Sequence, residues 1–281
     1  MAHPCALTIA GSDSGGGAGI QADLKTFMMQ GCYGLSVITA LTAQNTCAVS
    51  AIEAPTPGFV AEQLRAVRAD FPIRAAKTGM LFSEAIIEAV TKGLTNKDFP
   101  VVVDPVCVAQ SGARLLMPEA VEAILSRMLP LADLLTPNRL EAELLAGLPI
   151  GGKADADEVI RRLLARGAKA VLLKGGHFEI GQTADSRVTD RLVLADGREW
   201  ELSRPFVATR NTHGTGCTLS AAIAGHLALG KALPEAVEAA RDYLQLALET
   251  AWDLGDGDGP VNHLAPYARH LPESAKQASK H

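Results

Sequence analysis

Asn211-Thr212-His213-Gly214-Thr215-Gly216-Cys217 runs directly into Thr218-Leu219-Ser220-Ala221-Ala222-Ile223-Ala224-Gly225. Two glycines and small hydroxyl residues lead into an alanine-rich apolar run, the pattern of a tight turn that opens a buried helix. The first N–H groups of a helix have no acceptor within it, so they form a ready anion site. Glycine lets an oxyanion come close to the backbone. Gly214, Thr215, Gly216 and Cys217 are therefore candidates for an oxyanion-binding turn, with a cysteine where a catalytic carboxylate is expected.

Upstream of this turn, strand patterns alternate with helix patterns. Apolar runs predict strands at Cys5–Ala10, Leu35–Ala43, Cys47–Ile52, Arg74–Thr78, Val101–Asp104, Leu134–Thr136 and Ala170–Lys174. Helical spacing predicts helices at Gly19–Gln30, Phe59–Arg68, Glu84–Lys92, Pro118–Leu129, Asn138–Leu145 and Ala156–Arg166, then at Cys217–Leu229 and Pro234–Trp252. Arg187–Leu194 and Trp200–Phe206 flank the turn dipeptide Asp196-Gly197 and predict a hairpin. Such alternation implies an α/β fold with a mainly parallel sheet covered by helices on both faces. Neither a repeat nor a linker interrupts it. A single domain over residues 1–271 with a frayed tail at 272–281 is the expected organisation.

The 281 residues are 48% hydrophobic and 20% charged, with a net charge of −5 and only 4% aromatics. With neither a basic stripe nor stacking aromatics, nucleic acid is not expected as a partner. No apolar run approaches a membrane span. The five cysteines, an odd number without a CxxC pair, suggest neither a disulfide framework nor a zinc site. A soluble protein of the reducing cytoplasm is expected.

Several motifs cluster at predicted strand ends. Gly11 to Gly19 is a glycine-rich loop between a strand and a helix, where α/β proteins bind ligands. Its Gly17-to-Ala22 segment fits a dinucleotide fingerprint, but the acid expected about 20 residues on is missing. Gly147 to Lys153 falls short of a P-loop because no Ser or Thr follows the lysine, and it reads as a surface loop. Asn138 with Glu141 reads as a helix N-cap and its N3 partner. Lys174, before Gly175-Gly176-His177, is a cation suited to phosphate at a strand end, and His177 reads as structural. Asp104 before Pro105 either binds magnesium or caps a turn, and Gln44-Asn45 either read a heterocycle edge or begin a turn.

Taken together, these segments resemble the hydroxymethylpyrimidine/phosphomethylpyrimidine kinases of thiamine biosynthesis. The resemblance runs through Ala10 to Lys25, Ser36 to Thr46, Lys77-Thr78-Gly79-Met80, Leu172 to His177, and Asn211 to Ser220. It implies the ribokinase-like fold, with a small β-flap over the substrate. It also implies two transfers from ATP, first to 4-amino-5-hydroxymethyl-2-methylpyrimidine and then to its monophosphate. By that pattern Gly11, Asp23, Gln44 and Met80 line the pyrimidine pocket and Lys174 reaches the ATP phosphates. Asn138 and Glu141 sit near Mg²⁺ at the nucleotide, where Asp104 is the further candidate ligand read from its strand end, while Gly214, Thr215, Gly216 and Cys217 form the catalytic anion hole. A homodimer is implied as well. Cys107 falls where an apolar pocket residue is expected and carries no role.

The helix N-terminus is expected to lower the pKa of Cys217 and favour a thiolate that accepts the alcohol proton. The competing readings are pyridoxal kinase on the same fold, a noncatalytic pyrimidine sensor, and a nicotinamide dehydrogenase. The first makes no pyrophosphate product. The second has no need of Lys174, Asn138, Glu141 or the Gly214 turn, and the third lacks its ribose acid.

Overall fold

The segment Cys5–Asp13 is buried along nearly its whole length and pairs in parallel on both sides, with Tyr33–Gln44 and with Ile73–Thr78. A strand with neighbours on both edges and helices on both faces needs apolar residues at every position, which is why its pattern is a run rather than an alternation. The computed structural model describes residues 3–107, 119–175 and 186–270.

In chain order the strands are β1 (Cys5–Asp13), β2 (Tyr33–Gln44), β3 (Val49–Glu53), β4 (Ile73–Thr78) and β5 (Val101–Val103). They continue with β6 (Leu134–Leu135), β7 (Ala170–Leu173), β8 (Arg187–Leu194) and β9 (Glu199–Pro205). They form one sheet in the order β3-β2-β1-β4-β5-β6-β7-β8-β9. The six strands from β2 to β7 in that order are parallel, while β3 and the β8–β9 hairpin are antiparallel edges.

The helices are α1 (Gly19–Met29), α2 (Pro57–Asp70), α3 (Glu84–Leu94), α4 (Ala120–Ala123), α5 (Arg139–Ala146), α6 (Lys153–Ala165), α7 (Thr215–Ala228) and α8 (Leu233–Glu249). Alternate strand residues point to opposite faces, and this splits the core in two. Leu7, Ile9, Val101, Val103, Leu135 and Val171 pack under α2, α3, α5 and α6. Ala6, Ala75, Val102, Leu134, Ala170 and Leu172 pack under α1, α7 and α8. Small residues on that second face let the alanine-rich α7 lie close to the sheet, as its sequence implied.

The helix expected at Pro118–Leu129 takes another form. After α4 the chain widens into a π segment at Ile124–Met128 and then tightens into a 3₁₀ turn at Leu129–Leu131, where Pro130 lacks the N–H an α-helix would need. Pro118, Gly176, His177 and the tail expected to fray lie outside the described residues. No helix among the described residues is long and apolar enough to cross a membrane.

Phe27, on α1, is fully buried in the second core. Phe27→Ala is expected to lower unfolding free energy by about 3–5 kcal/mol, read as a lower urea midpoint at unchanged slope.

Candidate active site

The C-terminal ends of the parallel strands deliver residues to one cavity of about 640 Å³. Gly11, Ser12 and Asp13 come from the end of β1, Gly79 and Met80 from beyond β4, Asp104 from beyond β5, Asn138 from beyond β6 and Lys174 from beyond β7. Open α/β sheets place ligands at this edge. The Gly214–Cys217 turn at the start of α7 closes the cavity from one side, and the β2–β3 ribbon brings Thr42 and Gln44 to it from another.

Asp13 organises the first glycine-rich loop. Its Oδ1 accepts the Gly15 N–H at 2.8 Å; its Oδ2 accepts the N–H groups of Gly17 at 3.0 Å and Ala18 at 2.8 Å and lies 2.8 Å from His213 Nε2. Burial acts to raise the Asp13 pKa, but donation from His213, Ala18 and Gly15 brings it below the ordinary carboxylate value. His213 thereby locks this loop to the α7 turn. Two glycines make the lock possible. A Cβ on Gly214, whose φ is +83°, would lie 1.8 Å from the Gly17 carbonyl oxygen, and one on Gly19 (φ +57°) would lie 2.4 Å from the Gly11 oxygen. These close approaches, not a dinucleotide, account for the glycine spacing.

Sequence reasoning missed both Asp13 and His213 as organising residues. It also missed a third glycine-rich segment at residues 255–260, signalled only by the alternation Gly255-Asp256-Gly257-Asp258-Gly259. There the Asp258 N–H donates to the Thr46 carbonyl at 3.1 Å, and the Gly259 carbonyl accepts the His213 N–H at 3.0 Å. The segment buttresses His213 from behind.

Gly11, Met80 and Gln44 line the cavity together. Gly11 leaves room for Met80, since a Cβ there would meet the Met80 sulfur at 3.2 Å. Asp23 is a correction. It is fully buried, absent from the cavity wall, and paired with Lys77 Nζ at 3.0 Å from each carboxylate oxygen, with Thr8 Oγ1 donating at 2.6 Å. Lys77 is itself fully buried, so the pair compensates two charges that neither could carry alone.

At the ends of β5 and β7, Lys174 Nζ is 3.4 Å from Asp104 Oδ1 and 3.9 Å from Glu141 Oε2, and Ser220 Oγ donates to Asp104 Oδ2 at 3.1 Å. Asn138 and Glu141 do form the expected capping box: each side chain accepts the other's backbone N–H, at 2.9 and 2.8 Å. The same two residues also face the cavity, so cap and site coincide. Burial drives the Glu141 pKa up to about 7, opposed by Lys174 and reinforced by Asp104. This excess of negative charge fits a divalent cation, which takes one or two carboxylates alongside phosphate oxygens. Among the described residues there is no cluster of three or more metal-ligating side chains.

Beyond Lys174 the cavity becomes apolar, walled by Val188, Phe206, Leu244 and Leu248. Asp190 on β8 accepts the Gly175 N–H at 2.8 Å and faces Arg241 Nε of α8 at 2.9 Å. The two elements thus anchor the backbone immediately after Lys174. Cys107 lines the cavity, buried, with its thiol donating to the Pro105 carbonyl. The glycines at 147–152 form the connection from α5 to α6, as a loop, and are not part of the cavity.

Cys217 lines the cavity in the first turn of α7, whose N-cap, Gly214, has no side chain to occupy the free N–H groups. The expected lowering of its pKa is overturned. Burial pushes the thiol up to about 11; Lys77 and the Gly19 N–H favour the thiolate, but Asp23 and Asp104 oppose it. Desolvation, with two nearby carboxylates behind it, outweighs Lys77 and the Gly19 N–H.

The sequence profile of the phosphomethylpyrimidine kinase family matches residues 13–262. The chain belongs to this family. It is 50% identical over 260 residues to a bifunctional thiamine-biosynthesis protein of Geobacter sulfurreducens, covering 92% of this chain and 52% of that protein. The chain therefore spans about half of that relative. It is 47% identical over 264 residues to the hydroxymethylpyrimidine/phosphomethylpyrimidine kinase of Haemophilus influenzae, covering 94% of this chain and 97% of that one. Its fold is similar to that of Bacillus subtilis pyridoxal kinase in an ADP complex, with a TM-score of 0.83 at 34% identity, covering 94% and 98% of the two chains.

Because the folded state raises the Glu141 pKa, it binds that proton more tightly than the unfolded chain does. The associated stabilisation is present below the ordinary carboxylate pKa and is lost as pH rises through about 7. In metal-free buffer, the stability of this kinase relative to its Glu141→Gln variant is therefore expected to fall between pH 5 and 8. Urea unfolding at both pH values reads it directly, and a constant difference would refute the raised pKa of Glu141.

Proposed function

We propose that the protein transfers the γ-phosphoryl group of ATP to the hydroxymethyl oxygen of 4-amino-5-hydroxymethyl-2-methylpyrimidine, and then a second phosphoryl group to the resulting monophosphate. The observation that carries this reading is the meeting of cation and anion turn: Lys174 Nζ lies 3.5 Å from where a Cβ on Gly216 would stand. An oxyanion held by the Gly214–Cys217 amides would have the Lys174 ammonium beside it, and positioning with charge neutralisation dominates phosphoryl transfer.

In the first step the hydroxyl oxygen bonds to the γ-phosphorus, the bond to the ADP oxygen breaks, and the hydroxyl proton leaves. Cys217, as its thiolate, takes that proton. In the second step the attacking oxygen belongs to a phosphate largely deprotonated near neutrality, so no base is required. The pyrimidine ring rests between Gly11, Met80 and Gln44, and the nucleotide base takes the apolar compartment beyond Lys174. Asp104 and Glu141 would hold Mg²⁺, which when bound shields the phosphate charge. Asn138 shapes that corner by fixing Glu141. The reading includes a single kinase domain over residues 1–271, a cytoplasmic location and a homodimeric assembly.

Pyridoxal kinase is the second reading, supported by the fold similarity at 34% identity against 47–50% for the thiamine-pathway relatives. Product masses after incubation with ATP, Mg²⁺ and the pyrimidine alcohol separate the two. A diphosphorylated pyrimidine is expected, and phosphorylation of pyridoxal alone would overturn the proposal.

Two variants test the site. Cys217→Ala is expected to slow the first transfer by about 100-fold and the second by less than tenfold. With a thiol pKa of about 11, the first-step rate should climb with pH between 7 and 9, as the thiolate fraction grows, and that slope should vanish in the variant. Equal losses in both steps would sink the base assignment. Gly216→Val should impair both steps together, and unchanged turnover would remove the anion hole from the mechanism.

A further inference from the structure

The hydrogen-bond circuit around Gln44 favours one orientation of its side-chain amide. The Asp13 carboxylate already accepts three backbone N–H groups, so it is ionised and can only accept. His213 Nε2, 2.8 Å from Asp13 Oδ2, must therefore carry the ring hydrogen. That same Nε2 lies 3.4 Å from the terminal atom of Gln44 placed as nitrogen, which sets donor against donor. On the other side, Thr42 Oγ1 is 3.0 Å from the Ser12 carbonyl and 3.1 Å from the atom of Gln44 placed as oxygen. A hydroxyl has one hydrogen, and the Ser12 carbonyl can only accept. Once the hydrogen is given to Ser12, Thr42 turns a lone pair toward Gln44, which sets acceptor against acceptor.

Both conflicts are relieved when the amide is turned end for end. Its oxygen then faces the His213 Nε2–H, a shared and weaker contact because that hydrogen goes first to Asp13 Oδ2, and its nitrogen donates to Thr42 Oγ1. Amide ends are assigned from such networks, since oxygen and nitrogen have nearly the same shape. One N–H and one lone pair remain for a ligand, with the donor on the Thr42 side and the acceptor on the His213 side.

We propose that His213 and Thr42 are positioning residues that fix this orientation of Gln44 and so determine which heterocycle edge the site accepts. The inference rests on Gln44 reading the pyrimidine, as proposed above. A 4-aminopyrimidine edge offers a ring-nitrogen acceptor beside an exocyclic N–H donor, which matches the amide in one register only. A 4-oxo analogue offers a ring N–H beside a carbonyl and needs the amide reversed. The ring cannot reverse instead, because its hydroxymethyl group must still point at the Gly214–Cys217 turn.

The test is the ratio of kcat/KM for the 4-amino alcohol to that for its 4-oxo analogue, a quantity independent of how much enzyme is folded. The wild type should favour the amino compound by about 10- to 100-fold, the discrimination of a bidentate amide contact. Thr42→Val and His213→Ala should each bring the ratio to within about threefold of unity, because the amide is then free to turn, while Thr42→Ser should keep it. A purely structural role would depress both substrates equally and leave the ratio intact. Gln44→Ala separates the two levels of the argument. If it leaves the wild-type ratio unchanged, Gln44 does not read the ring and the assignment beneath the inference fails. If Gln44→Ala removes the preference while either Thr42→Val or His213→Ala retains it, the two-sided lock is wrong and the pyrimidine-reading role stands.

Discussion

Asp13 is the constraint on which the active site depends. One carboxylate takes three N–H groups of the Gly11–Gly19 loop and the ring of His213. In doing so it joins the end of β1 to the start of α7, segments 200 residues apart in sequence. The cost of burying a carboxylate is offset by the four donors, since charge-assisted hydrogen bonds are the strong ones. A rigid seam follows, with glycine backbone against glycine backbone where no side chain fits. The free amides at the head of α7 are held in place because the loop facing them cannot move away.

Charge at the site is arranged in two tiers. Lys174 lies beside Asp104 and Glu141 at the cavity surface, with one positive group among two acids. Behind the wall, Lys77 and Asp23 form a closed pair. The surface tier is unbalanced, which is why the Glu141 pKa climbs toward 7, and that imbalance makes it receptive to a cation. The inner tier is balanced and inaccessible, so it sets the local potential without meeting a ligand. Asp23 belongs with this inner tier, a distinction that no motif could express.

Most of the fold was legible because its signals are local. Buried strands such as Val101–Val103 are short apolar runs, the caps at Asn138 and Gly214 are set by residues within one turn, and Asp196-Gly197 announces its hairpin. The segment after Ala120 was misread because apolar spacing does not distinguish α from π winding, and Pro130 acts only at its end. The lining residues Lys174, Cys217 and Gln44 were legible from their places at strand ends and a helix start, and Gly11 and Met80 through the resemblance. Asp13 and His213 were not singled out, because their meaning lies in a contact between distant segments. The pKa of Cys217 was misjudged for a related reason. The helix start is visible in the sequence, whereas the depth of burial and the nearness of Asp23 and Asp104 appear only once the chain is folded.

That misjudged thiol bears on why a cysteine stands at the head of α7. A carboxylate there would be ionised at neutral pH and would add a further negative charge beside Asp104 and Asp23. On the proposed reaction path the second nucleophile is a phosphate monoester carrying between one and two negative charges. A fixed anion at residue 217 would repel that substrate at the point where it must approach another phosphate. A thiol with its pKa pushed up to about 11 is neutral in most molecules when the monophosphate arrives, and only its thiolate minority, formed by loss of the thiol proton to solvent, takes a proton when an alcohol arrives instead. Burial, which weakens Cys217 as a resting base, is therefore what lets one site serve two nucleophiles of different charge.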